Sequence, residues 1–144
     1  MTMRTQKLAQ TLGAGAIIFD LDGTLVDSVS DMTAEINKIL VERGLEPLLV
    51  ETTSKFLGDG MRSFARRAFS VRGVIDLEES LNTFVARYRD SAHSLTTPYE
   101  GVKETLSALR ERGWRISVCT NKDESIATAI LKETVVVNKN WPQL

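Results

Sequence analysis

The chain opens its ordered pattern with an apolar run, Ile17-Ile18-Phe19, which has the β-branched and aromatic content of a buried strand over residues 16–19. The run stops at Asp20-Leu21-Asp22-Gly23-Thr24. From Ser28 the period changes to that of a helix. Met32, Ile36, Ile39 and Leu40 recur on one face, Gly44 is placed to end it, and Leu45-Glu46-Pro47 is a break. Two more helices are predicted over residues 50–57 and 61–71, the second with Met61, Phe64, Ala65, Ala68 and Phe69 on one side. Asp76 with Glu79 has capping-box spacing for a helix to about residue 92, which carries Leu77, Leu81, Phe84, Val85 and Tyr88.

Thr96-Thr97-Pro98 punctuates the chain. A helix over 102–112 follows, with Leu106 and Leu109 inward and Gly113 as its stop. Residues 115–119 alternate like a strand and end in Thr120-Asn121-Lys122. Asp123 can cap a last helix to about residue 132. The residues before Ala14 read as a loose leader, and there is no internal repeat or low-complexity tract. A crossover between parallel strands normally takes a dozen or more residues. Here it holds several helices, so most of it is an inserted module. The predicted fold is α/β: residues 1–28 and 96–144 form a parallel-sheet core, and residues 29–95 form a helical module.

Length and composition narrow the picture. With 144 residues there is room for one ordinary domain, or for a small core with an insertion. A net charge of -1 argues against nucleic acid and anionic membrane as partners. The single cysteine excludes an intrachain disulfide and suits a reducing compartment. No signal peptide or membrane span is read in the sequence, so a cytoplasmic protein is expected.

The chemistry lies at the strand ends. α/β proteins place ligands where chain leaves the C-terminal ends of their strands. Two carboxylates beside a glycine there suit a site for phosphate and a cation, although Asp-Gly pairs also serve as plain turns. An EF-hand reading fails, because Leu25 stands where its glycine belongs and Asp31 where its glutamate belongs. His93 reads as a solvated or capping residue and Cys119 as a small buried hydrophobe. Asp27 reads as a turn or capping residue, with substrate contact as the lesser alternative. Arg62, Arg66 and Arg67 are open between a solvated face and substrate contact, and Lys122 between surface placement and function.

Asp20-Leu21-Asp22-Gly23-Thr24-Leu25-Val26-Asp27-Ser28 resembles the first motif of the haloacid dehalogenase superfamily of phosphohydrolases. Ser117-Val118-Cys119-Thr120-Asn121-Lys122 resembles its second motif. The helical block, Phe56-Leu57-Gly58-Asp59-Gly60-Met61 and Tyr99-Glu100-Gly101-Val102 are similar to the phosphoglycolate phosphatase group. The resemblance implies a Rossmann-like core with an α-helical cap and a small phosphorylated substrate. It implies that Asp20 is the nucleophile and Asp22 the acid/base, and that Gly23, Thr24, Thr120, Asn121 and Lys122 surround the phosphoryl group. Magnesium, Mg2+, would be held by Asp20 and by Asp22 through its main-chain carbonyl. Gly58, Asp59, Gly60 and Arg62 would meet the substrate from the cap.

The family pattern continues with a lysine motif and a Gly-Asp motif, and no Asp follows Asp123 here. Lys139, with Pro142 three residues on, is a faint echo of the lysine motif. The expectation is a core lacking its C-terminal part, weak or absent hydrolysis, an apolar first strand open along one edge, and self-association through that edge. The alternatives are a non-catalytic interaction module and a sugar-phosphate mutase of the same superfamily.

Overall fold

The computed structural model describes residues 15–91 and 93–135. The predicted leader, Ala92 and the Lys139–Pro142 echo lie outside them. Strand β1 (Ala16–Phe19) and strand β4 (Arg115–Val118) pair in parallel, with Ala16 opposite Arg115 and Phe19 opposite Val118. The pairing extends one step at each end: Arg115 N donates to Gly15 O at 3.0 Å and Cys119 N to Phe19 O at 2.8 Å. Gly15 lets the Trp114 ring lie close, since a Cβ there would stand 2.8 Å from the ring and push it aside. The register sets Asp20 level with Cys119, so that Asp20 and Thr120 leave the same end of the sheet one step apart.

The first strand is less buried than its composition predicts. Among the described residues β1 pairs only with β4, so its other edge is open and Ile18 is 69% exposed. Ile17 and Phe19 are half-buried.

Beyond β1 the chain makes a tight turn in which Leu21 O accepts from the amides of Thr24, Leu25 and Val26. Gly23 takes a φ of 77° there, a conformation that side chains disfavour. Strand β2 (Val26–Asp27) then pairs antiparallel with β3 (Thr97–Pro98), which the sequence pattern did not predict. This two-stranded ribbon ties the segment leading into the helices to the segment returning from them.

Between the two lie α1 (Val29–Glu42), the single turn α2 (Val50–Thr53) with a 3-10 turn (Ser54–Phe56), α3 (Met61–Val71) and α4 (Leu77–Asp90). Ile36, Ile39, Phe64, Phe69, Leu81 and Phe84 share one core, as the helical periodicity predicts. Asn37 pins the break before α2, with its amide bonded both ways to the Leu48 backbone at 2.8 and 2.9 Å. The predicted helix over 50–57 narrows after Thr53, whose hydroxyl is 2.6 Å from that of Thr33. Asp76 precedes α4 without a side-chain cap bond, so the capping box is not formed. Its carbonyl instead accepts from Ser80 N at 3.0 Å and Ser80 Oγ at 2.9 Å.

Helix α5 (Val102–Glu111) leads to β4, and α6 (Glu124–Ile130) follows it, widening into a π turn over Leu131–Val135. Asp123 caps α6 as predicted, accepting from Ser125 N at 3.1 Å. The fold is thus helix-rich α/β around a parallel strand pair. No described helix is long and apolar enough to cross a membrane.

Candidate active site

Asp20, Asp22, Thr120, Asn121 and Lys122 line one small cavity, although the two segments are a hundred residues apart in the chain. Parallel strands ending level with one another produce this, because both loops then leave the same edge of the sheet. Gly58 and Gly60, from the loop ahead of α3, close the cavity from the helical side. Asn121 Nδ2 donates to Gly58 O at 3.4 Å, so the loop rests directly on the second motif.

The carboxylates differ in their surroundings. Asp20 is exposed, and its Oδ1 accepts from the following amide, Leu21 N, at 2.7 Å. Asp22 is half-buried and already engaged. Its Oδ1 accepts from Ser28 Oγ at 2.5 Å and lies 3.1 Å from Lys122 Nζ. Thr120 Oγ1 accepts from Lys122 N at 3.2 Å, which folds the loop so that the lysine side chain turns inward. Lys122, left open between surface and function by its sequence context, has a side chain only 1% exposed. Its ammonium also donates to Tyr88 Oη at 3.1 Å and stands 4.9 Å from the centre of that ring.

This buried cluster is electrostatically strained. Burial pulls the Lys122 ammonium below the ordinary lysine range, opposed by the Asp22 and Asp31 carboxylates. The Tyr88 phenol is pushed far above its ordinary range, first by burial and then by Asp22 and Asp31. His93 is buried, not solvated, with a φ of 47°. Its ring packs edge-on to Tyr88 at 4.7 Å, and Nδ1 is 3.2 Å from Ser91 Oγ. Burial lowers its imidazole below the usual histidine range. Cys119, read as a small buried hydrophobe, has an exposed side chain although its amide still bonds Phe19 O: among the described residues nothing packs over that side chain there.

Other residues singled out from the sequence lie elsewhere. The Gly23 amide is committed to Val26 O at 2.9 Å. Thr24 lines a separate cleft with Glu100 and Thr105. Asp59 is ion-paired with Arg67, and Arg62 donates to Glu78 and Asn82 at 3.0 Å each. Asp59 and Arg62 face a broad outer groove beside Asn121 and Arg89. Arg66 also bonds Glu78, at 2.7 Å, and holds its carboxyl below the usual range. Asp27 caps α1 by accepting from Val29 N at 3.1 Å.

Two residues of the cluster went unnoticed in the sequence. Tyr88 was counted for its ring among the apolar positions of its helix, and Ser28 only closed the first motif. Neither carries a periodic signal for the partner of its hydroxyl.

No cluster of three or more His, Cys, Asp or Glu side chains placed for a metal occurs among the described residues. The oxygen donors at the cavity nonetheless suit a hard cation. Mg2+ is commonly bound through one or two carboxylates, with phosphate oxygens and waters completing its shell. Asp20 has the exposed carboxylate for this, whereas that of Asp22 is held by Ser28 and Lys122.

Known proteins resemble this chain over most of its length. The phosphoglycolate phosphatase of Agrobacterium fabrum is 36% identical over 120 residues, covering 81% of this chain and 52% of that protein. That of Pseudomonas fluorescens is 38% identical over 123 residues, covering 81% and 45%. The chain therefore spans about half the length of the curated relatives it matches. The crystal structure of a predicted phosphoglycolate phosphatase from Haemophilus somnus superposes with a TM-score of 0.64 at 28% identity, covering 81% of this chain and 56% of that one. Residues 17–138 match the family described as haloacid dehalogenase-like hydrolase, and with that match spanning most of its length the chain belongs to this family.

Proposed function

We propose that this chain carries the nucleophile and acid/base half of a Mg2+-dependent phosphomonoester hydrolase acting on a small phosphorylated acid such as phosphoglycolate. The observation that supports it is the meeting of Asp20 and Asp22 with Thr120, Asn121 and Lys122 at the ends of two parallel strands. In this reading an Asp20 oxygen attacks phosphorus and the ester P–O bond breaks, leaving an aspartyl phosphate. Asp22 gives its proton to the leaving alkoxide. It then takes one from the water that attacks the same phosphorus, which frees inorganic phosphate and restores Asp20. Thr120 and Asn121 donate to the phosphoryl oxygens, and the Lys122 ammonium offsets their charge. Mg2+, held by Asp20 and the Asp22 main-chain carbonyl, supplies further neutralisation of the phosphoryl group when bound.

Residues 29–95 act in this scheme as a cap. The cavity is small, about 30 Å³, and partly open to solvent. Lifting the Gly58–Gly60 loop off Asn121 would widen the entry for a phosphoryl group. Arg62 would have to release Glu78 to meet a substrate carboxylate, so its part is confined to an opened or rearranged state.

With Asp20 the one uncommitted carboxylate at the cavity among the described residues, turnover by this chain should be weak. The test is phosphate release from phosphoglycolate with Mg2+, set against Asp20→Asn, together with trapping of hydroxylamine-sensitive phosphoprotein. Any turnover should fall at least about 10³-fold in the variant. Full turnover surviving in Asp20→Asn would remove Asp20 from the nucleophile role. Phosphoryl return to a sugar phosphate without phosphate release would favour the mutase. A second reading, self-association through the open edge of β1, is supported by the exposure of Ile18.

A further inference from the structure

The contacts of Asp22 lead away from the cavity to both ends of the helical block. Ser28, which donates to Asp22 Oδ1 at 2.5 Å, is the residue immediately before α1. Lys122 Nζ, 3.1 Å from the same oxygen, is 3.1 Å from the hydroxyl of Tyr88, in the last turn of α4. An ammonium removed from water needs its few protein acceptors. Among the described residues, Asp22 and Tyr88 are the two that meet it. The Tyr88 hydroxyl in turn has little freedom. The residue is fully buried, stacked on Phe84 at 5.7 Å and edge-on to His93 at 4.7 Å. Close packing fixes the place of that oxygen relative to α4.

We propose that Tyr88 is a positioning residue for Asp22. Its hydroxyl, carried by α4, holds the Lys122 ammonium against the Asp22 carboxylate, so the orientation of that carboxylate depends on where the helical block sits. The functional weight of this clamp rests on the reading of Asp22 as the acid/base. The chain of contacts does not.

Tyr88→Phe keeps the ring, its stacking and its place over the ammonium, and removes only the hydroxyl. The 144-residue chain is labelled with 13C at the aspartate carboxyl carbons and studied by NMR at one fixed pH. Loss of a signal in Asp22→Asn assigns Asp22. Tyr88→Phe should displace that signal by more than its linewidth, with Lys122 and Ser28 both lying between the hydroxyl and Asp22. The same change in a Lys122→Met background should produce no further displacement. An unmoved Asp22 signal in folded Tyr88→Phe overturns the proposal. So does an undiminished displacement in the Lys122→Met background, which would route the effect through Ser28. Should Lys122→Met not fold, the 15Nζ signal of Lys122 decides: it must move in Tyr88→Phe, and a static signal overturns the proposal. Phosphate release dependent on Asp20 is scored separately. Its absence beside a displaced Asp22 signal would remove the phosphatase reading and leave the clamp standing.

Discussion

Replacing Asp31 with alanine tests what holds the return from the helical block in place. Asp31 lies in the first turn of α1 and is 7% exposed. Its two oxygens accept from Leu95 N at 3.1 Å each, and Oδ2 also accepts from Thr96 Oγ1 at 2.5 Å. Two donors more than sixty residues away in sequence thus hang on one carboxylate. A hydrogen bond to a charged group contributes about 1.5–3 kcal/mol, and leaving a buried donor unpaired costs about 1–3 kcal/mol. Leu95 is exposed, so its amide can be rewetted, whereas Thr96 is buried and its hydroxyl cannot. Relief from burying the carboxylate works the other way. The net expectation for Asp31→Ala is a loss of about 2–4 kcal/mol, read as a urea midpoint lower by about 1–2 M with an unchanged slope. Thr96→Val should cost about 1–2 kcal/mol, and the double variant should cost less than the sum because the two changes remove one shared bond. An Asp31→Ala unfolding free energy within about 0.5 kcal/mol of the parent, or strict additivity with Thr96→Val, would refute this reasoning.

Two further outcomes follow from burial and exposure. Burial lowers the His93 pKa below 6.5, so the unfolded chain takes up the proton at a higher pH than the folded one. Stability should therefore fall as pH drops below 6.5 and level off once the folded form is also protonated. The charges around the ring are Asp31, Glu35 and Glu133, which favour the cation, and Lys122, which opposes it. His93→Asn tolerates the positive φ and removes the titration, so its urea midpoint should flatten across that window, and an unchanged slope would exclude His93 as the source. Ile18→Lys places a charge on the open edge of β1, where Ile18 is 69% exposed. If chains associate through that edge, light scattering after size exclusion should show concentration-dependent assembly in the parent and monomer in the variant; assembly in both would exclude the edge.

Much of the fold was legible because the relevant signals are local. β-branched residues in Ile17-Ile18, the helical spacing of Phe64, Ala65, Ala68 and Phe69, and Asp123 ahead of Ser125 each report on a few neighbouring residues. The segments 16–19 and 61–71 took their predicted bounds for this reason. Long-range pairing was not legible. The ribbon of Val26–Asp27 with Thr97–Pro98 is two residues long on each side, too short for any alternation to show. The Asp76 box did not form, since Asp76 makes no side-chain cap bond: the spacing of Asp76 and Glu79 fixes which residues could meet, not the rotamers and backbone angles that would bring them together.

The candidate site divides along the same line. The sequence by itself determined that two acids follow one strand and that Thr120-Asn121 follows another, because strand ends and the residues after them are local properties. Only the tertiary structure decided what surrounds Asp22. It turned Lys122 inward onto Asp22 and Tyr88, set Ser28 against the same carboxylate, and buried His93 behind the phenol. It also drew Asp59 and Arg62 into ion pairs with Arg67 and Glu78, away from the cavity. The physical reason is that periodicity tells which face of an element is buried, whereas a polar atom finds its partner among whatever groups the packed elements bring within about 3 Å of it.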